Sequence, residues 1–167
     1  MTALRAPFLA LAASAALVLA ACGSGDDSSS SGDDQQQIRS VFMTYTKALA
    51  AKDYATACDQ LTTASKKAIT AELATRKAEL RKLTGTDQFP ADCPGQFKIL
   101  LGPAVASQAV QASTKAKIDK VTVNGDTGTI TATIPLEGIA GVPEGTPPRT
   151  STTPVRRENG SWKIDEK

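Results

Sequence analysis

Two Asn-Gly dipeptides, Asn124-Gly125 and Asn159-Gly160, constrain how the C-terminal half of this chain can fold. Each stands between runs in which apolar and polar residues alternate, and Asn and Gly tolerate the positive φ that a two-residue hairpin turn demands. Pairing about the first turn sets Val123 opposite Asp126, Val121 opposite Gly128 and Asp119 opposite Ile130. Val121, Val123, Ile130, Ala132 and Ile134 then share one face, and Thr122, Thr127, Thr129, Thr131 and Thr133 form the other. The second turn joins a strand over 149–158 to one over 161–165, with Val155 opposite Ile164 and Arg157 opposite Trp162. Trp162, the single tryptophan, is expected in the core or on a pocket floor, with Arg157 stacked on its ring. Between the hairpins, residues 136–148 hold Gly138, Gly141, Gly145, Pro143, Pro147 and Pro148, too many breakers for a central strand, and read as a long connection at the sheet edge.

The first part of the folded chain has the other period. Ile38, Val41, Phe42, Tyr45 and Leu49 recur at three- and four-residue steps, one apolar stripe of an α-helix, with Arg39, Ser40, Thr46 and Lys47 turned away. Asp53 is placed to cap a second helix carrying Tyr54, Ala57, Cys58 and Leu61, so the two helices meet at an angle at Lys52-Asp53. Ser65 is expected to cap a third helix over 66–83, with Ile69, Leu73, Leu80 and Leu83 on its stripe, Glu72 four residues before Arg76, and Thr84-Gly85 as its end. Residues 85–94 read as a loop that returns Cys93 to the second helix. Over 95–113, Phe97, Leu100 and Leu101 suggest one short helix and Val105, Ala109 and Ala112 another.

At the N-terminus, Arg5 precedes an Ala- and Leu-rich run over 8–21 that ends Leu19-Ala20-Ala21-Cys22. The run is too short to span about 30 Å of hydrocarbon but has the length of a signal-peptide core. Residues 1–21 are therefore expected to be a secretion signal. Leu19-Ala20-Ala21-Cys22 resembles the bacterial lipoprotein box, which implies diacylation of the Cys22 thiol and cleavage just before it. Residues 23–37 are Ser, Gly, Asp and Gln with nothing apolar to bury, and residues 22–37 read as the lipidated cysteine and a disordered tether. Asp26, Asp27, Asp33 and Asp34 are taken as a solvated spacer.

Without residues 1–21, which hold one basic residue, the balance of 19 Lys and Arg to 17 Asp and Glu narrows to a net charge of +1. Lys66-Lys67, Arg81-Lys82 and Arg156-Arg157 are isolated pairs, so neither nucleic acid nor an anionic surface is implied as a partner. Once Cys22 is assigned to lipid, Cys58 and Cys93 remain as an even pair in an oxidising compartment and are expected to be bridged. There is no histidine to complete a metal set or a Ser-His or Cys-His nucleophile, and no glycine-rich phosphate loop follows a strand. No metal and no cofactor are expected.

Helices first and then two antiparallel hairpins make residues 38–167 a single α+β domain in which N-terminal helices pack on a curved antiparallel sheet. The series Tyr45, Ala48-Leu49, Ala51, Asp53-Tyr54, Ala57-Cys58 and Leu61, then Cys93, then Val121 and Val123-Asn124-Gly125-Asp126, Gly128 and Ile130, then Arg157, Asn159-Gly160 and Trp162-Lys163-Ile164 resembles small actinobacterial lipoproteins with a nuclear transport factor two-like (cystatin-like) fold. That resemblance implies a cone of helices on the sheet with a cavity between them, and Tyr45, Tyr54 and Trp162 as its lining. The same superfamily includes ketosteroid isomerases, in which a first-helix tyrosine donates to a developing oxyanion and an aspartate moves the proton. Tyr45 matches the tyrosine, but the region where the aspartate should follow offers Thr62, Thr63 and Ile69. The expectation is therefore a non-catalytic, membrane-anchored extracytoplasmic lipoprotein that binds a small apolar ligand or an envelope partner. The alternatives are an interaction module with a filled cavity, and an isomerase or dehydratase using Tyr45.

Overall fold

The computed structural model describes residues 27–85, 88–102, 104–139 and 141–166, so the signal peptide expected over 1–21 and the lipid site at Cys22 lie outside the described residues. The helices are α1 (Asp27–Ala50), α2 (Tyr54–Asp59), α3 (Thr63–Thr75), α4 (Lys77–Thr84), α5 (Cys93–Leu100) and α6 (Ala104–Ser113). They precede β1 (Lys117–Asn124), β2 (Thr127–Ile134), β3 (Arg149–Glu158) and β4 (Ser161–Ile164), which form one antiparallel sheet in the order β1-β2-β3-β4. This is an α+β fold in which the helical layer is built before the sheet that it covers.

Helix α1 lies against β1, β2 and β4 and also touches α2 and α6. Its buried apolar side chains are Ile38, Phe42, Tyr45 and Ala48, which join Phe97 of α5 and Val121, Ile130, Ala132, Val155, Trp162 and Ile164 of the sheet in one core. Thr46, expected to turn away, is buried too, its hydroxyl satisfied by donating to the Phe42 carbonyl at 3.1 Å. Full burial of a side chain such as Ile38 or Phe42 contributes about 1.5–3 kcal/mol, so this stripe is the main adhesive between the layers. Gly128 is required by the neighbouring strands and not by α1: a Cβ there would fall 2.5 Å from the Thr122 carbonyl oxygen and 3.1 Å from Val155 Cγ2, but at an ordinary 3.5 Å from Ile38 Cδ1.

The second hairpin has the expected register, with Val155 opposite Ile164 and Arg157 opposite Trp162. Asn159 (φ 52°) and Gly160 (φ 78°) are both left-handed, as a type I′ turn requires. In the first hairpin the pairing is displaced by one residue at the turn. Asn124 pairs with Thr127 and Val121 with Ile130, so Gly125 (φ 56°) and Asp126 form the loop. The displacement moves each partner by two positions, and the period of two keeps Val121, Ile130 and Ala132 on the core face. A bulge between Ile118 and Lys120 also removes Asp119 from the ladder, which interrupts the exposed edge of β1.

The third helix differs from its expectation in two ways. Thr62, not Ser65, is the cap: its hydroxyl accepts from the Ser65 N–H at 3.1 Å, which makes Ser65 the third helical residue. The helix also breaks at Arg76 into α3 and α4, and α4 ends on left-handed Gly85. Asp53 caps α2 as expected, accepting from the Thr56 N–H at 3.2 Å, and Lys52 turns the chain with φ 60°. Cys93 opens α5 and is disulfide-bonded to Cys58 of α2, with Cα atoms 6.1 Å apart.

The tether expected to be disordered is corrected over residues 27–37, which continue α1. Propagating an existing helix adds a hydrogen bond per residue without a new nucleus. Asp34 is a structural group and not a solvated spacer: its Oδ1 accepts from Trp162 Nε1 at 3.0 Å and from Arg157 Nη2 at 2.6 Å. The folded unit therefore begins before Ile38.

The Trp162 N–H and then Arg157 hold the Asp34 carboxyl below the usual aspartate range. A carboxyl depressed by folding stabilises the native state above its unfolded pKa, and that contribution is lost as pH falls through the folded value. Asp34→Asn is expected to lower the melting temperature at neutral pH and to leave a smaller loss on acidification than the wild type shows, read from melts taken between pH 7 and 3. Replacing both Cys58 and Cys93 with Ala should remove about 3–4 kcal/mol of stability in the chain-entropy description of a cross-link, measured by denaturant unfolding against the oxidised protein.

Candidate functional site

A half-open cavity of about 510 Å³ lies between α1, α3 and α5, beside the end of β4. Each wall follows from a local rule already described. The α1 stripe supplies Tyr45 and Leu49, one face of α3 supplies Ala68 and Ile69, and α5 with the residue after it supplies Phe97, Leu100 and Leu101. The disulfide ties α5 to α2, and contacts with α3 complete its placement. Leu61 and Ser65 line the cavity where the helical layer meets β4.

Three charged side chains also line it: Glu72, Arg76 and Glu166. Arg76 stands at the break between α3 and α4, and its guanidinium is shared by Glu72 (Nη1 to Oε1, 3.3 Å) and Glu79 (Nε to Oε2, 3.5 Å). The side chains of all three are about half exposed, so these pairs steer geometry more than they stabilise. Glu166 follows Asp165, which is buried and held by the Thr62 hydroxyl at 2.9 Å and Arg156 Nε at 2.9 Å. That anchorage carries Glu166 to the cavity, where partial desolvation raises its carboxyl pKa while the residue keeps contact with solvent.

Tyr45 is 9% exposed and, among the described residues, its hydroxyl has no hydrogen-bond partner. Burial, and then the nearby Glu166 carboxylate, raise its pKa, so it stays protonated and able to donate. Its ring lies 6.4 Å from that of Phe97, centroid to centroid.

Of the three aromatic residues expected to line a pocket, the structure brings Tyr45 alone to this one. Tyr54 lies behind Phe97, 6.2 Å from it ring to ring, and supports the wall without lining it. Trp162 is buried under Arg157, whose guanidinium carbon is 4.8 Å from the ring centroid, and its N–H is taken by Asp34. Asp34 and Tyr45 are eleven residues apart on one helix, about 16 Å at 1.5 Å per residue, so Trp162 belongs to the opposite end of the core. Sequence reasoning missed Arg76, Glu72 and Glu166. The first two were visible as an i,i+4 pair, but nothing local to Glu166 announces that it faces a cavity.

Among the described residues no cluster of three or more His, Cys, Asp or Glu side chains could hold a metal ion, and no helix is long and apolar enough to cross a membrane. No family model and no curated protein matches the chain. A solved structure from Bacteroides thetaiotaomicron, of a protein of unknown function, is similar at 17% identity and a TM-score of 0.35, over 83% of this chain and 93% of its own. At that level the likeness carries no functional information.

Tyr45→Phe deletes a hydroxyl that no described residue engages, and should change stability by less than about 1 kcal/mol. Tyr45→Ala removes a buried ring and should destabilise by about 3–5 kcal/mol. Paired denaturant melts check both. Equal stability of the two variants would show that the ring is not part of the core.

Proposed function

We propose that this protein is a lipid-anchored extracytoplasmic domain that binds a small, largely apolar molecule in the Tyr45 cavity. The observation that carries the proposal is an open cavity in which apolar side chains are joined by a few polar and charged groups, among them a Tyr45 hydroxyl that no described residue engages, since pockets for small ligands typically combine apolar walls with a few polar groups that orient the guest. The lipoprotein box at Cys22 supplies the anchor, and two acyl chains hold a protein on a membrane where a single one does so only marginally. The resemblance to nuclear transport factor two-like lipoproteins is compatible with this arrangement, because it implies a ligand cavity under the first helix. Docking on another envelope component through a filled cavity is less well supported, since the cavity is not plugged by side chains.

A second reading, an isomerase or dehydratase, gains from Glu166. It places a carboxylate in the same cavity as Tyr45, the partner that Thr62, Thr63 and Ile69 do not provide. Tyr45 would donate to a developing oxyanion and Glu166 would move the proton. Binding without chemistry is preferred because Glu166 retains solvent contact, where water competes with the proton transfer.

Two experiments test the proposal. Uptake of the neutral fluorescent probe N-phenyl-1-naphthylamine should be saturable in the wild type and lost in Ala68→Trp, which fills the cavity, with the melting temperature of that variant preserved within a few degrees. Equal uptake by both would place the probe elsewhere and defeat the binding proposal. Cys22→Ser should release the full chain from the membrane fraction or leave it unprocessed, and a processed, membrane-bound Cys22→Ser protein of unchanged size would remove the anchor. Turnover of small carbonyl compounds that both Tyr45→Phe and Glu166→Gln abolish would favour the second reading.

A further inference from the structure

The charges around the cavity do not balance. Arg76 is shared between Glu72 and Glu79. Glu166 has no ion pair or hydrogen bond with any described residue. Glu166 is exposed to solvent at the rim of a largely apolar wall, so its charge is tolerated in the free protein and is at hand for a positive group entering the cavity. The groups around it suit such a charge. Tyr45 is a mostly buried residue whose hydroxyl no described residue engages, so its oxygen can accept from an N–H donor, and the Tyr45 and Phe97 rings in the lining are groups to which a cation is attracted. Leu49, Ile69 and Leu101 leave room for an apolar body behind it.

Resting on the cavity-binding proposal above, we infer that the ligand is a protonated amine on a small apolar or aromatic skeleton, its ammonium group paired with Glu166 and its body held against Ile69, Phe97 and Leu101. An anionic guest is disfavoured at the same place, because Glu166 and Glu72 outnumber the single guanidinium of Arg76. The rise in the Glu166 pKa is in keeping with a carboxylate that lacks a counter-charge until the ligand arrives.

The test compares three guests with one skeleton and different charge: 3-(indol-3-yl)propan-1-amine, 3-(indol-3-yl)propan-1-ol and indole-3-propionate, titrated calorimetrically at neutral pH into the wild type, Glu166→Gln and Glu166→Asp. The amine is expected to bind the wild type about tenfold more tightly than the alcohol, a difference of about 1.4 kcal/mol. The propionate should be weakest. Glu166→Gln should erase the preference, so that amine and alcohol bind that variant with equal affinity, and Glu166→Asp should keep part of it. Equal affinities for amine and alcohol, tighter binding of the propionate, or a preference that survives Glu166→Gln would overturn the inference while leaving the cavity-binding proposal standing. The same holds if none of the three binds while the neutral fluorescent probe still enters. Failure of all four compounds would overturn both.

Discussion

The seam between residues 60–62 and Ile164 joins the two layers of this protein. Ile164 donates its N–H to the Gln60 carbonyl at 2.8 Å and accepts from the Thr62 N–H at 2.9 Å, forming a parallel bridge at Leu61. The Ser65 hydroxyl adds a second donor to the Ile164 carbonyl at 3.1 Å, and the Thr62 hydroxyl reaches Asp165. Few residues are involved, but each has several tasks. The bridge covers the outer edge of β4, which would otherwise present unpaired backbone groups. Thr62 also starts α3, and Asp165 delivers Glu166 to the cavity. Moving this seam would displace the α3 wall and the carboxylate together.

Local rules predicted local features well. Asn159-Gly160 gave the register of β3 and β4 residue by residue, because a turn with two left-handed residues leaves no other pairing. Asn124-Gly125 was less binding: the turn closes on Gly125 and Asp126, and only the period of two preserved the core face. Asp53, Cys58 and Cys93 took the expected roles, and the short helices over 93–100 and 104–113 fell where sparse apolar residues suggested them.

What escaped sequence reading depended on contacts between distant residues. The polarity of residues 27–37 argued for disorder, but the partners that order Asp34 are Trp162 and Arg157, more than a hundred residues away. The same distance hid the site. Tyr45 was legible from its helical stripe, whereas Trp162 and Tyr54 are aromatic neighbours of the core placed outside the cavity by the packing of α1 and α5. Glu166 gained its position from Thr62 and Arg156 through Asp165, a chain of contacts that no window of sequence contains.

The continuation of α1 through residues 27–37 has a mechanical meaning. Helical backbone advances about 1.5 Å per residue and resists bending, whereas extended chain reaches up to about 3.6 Å per residue and resists nothing. With Asp34 clamped by Arg157 and Trp162, this segment projects from the domain as a strut of set direction. The mouth of the cavity therefore keeps a set direction relative to this strut, as a lamp does on a bracket and a float on a line does not.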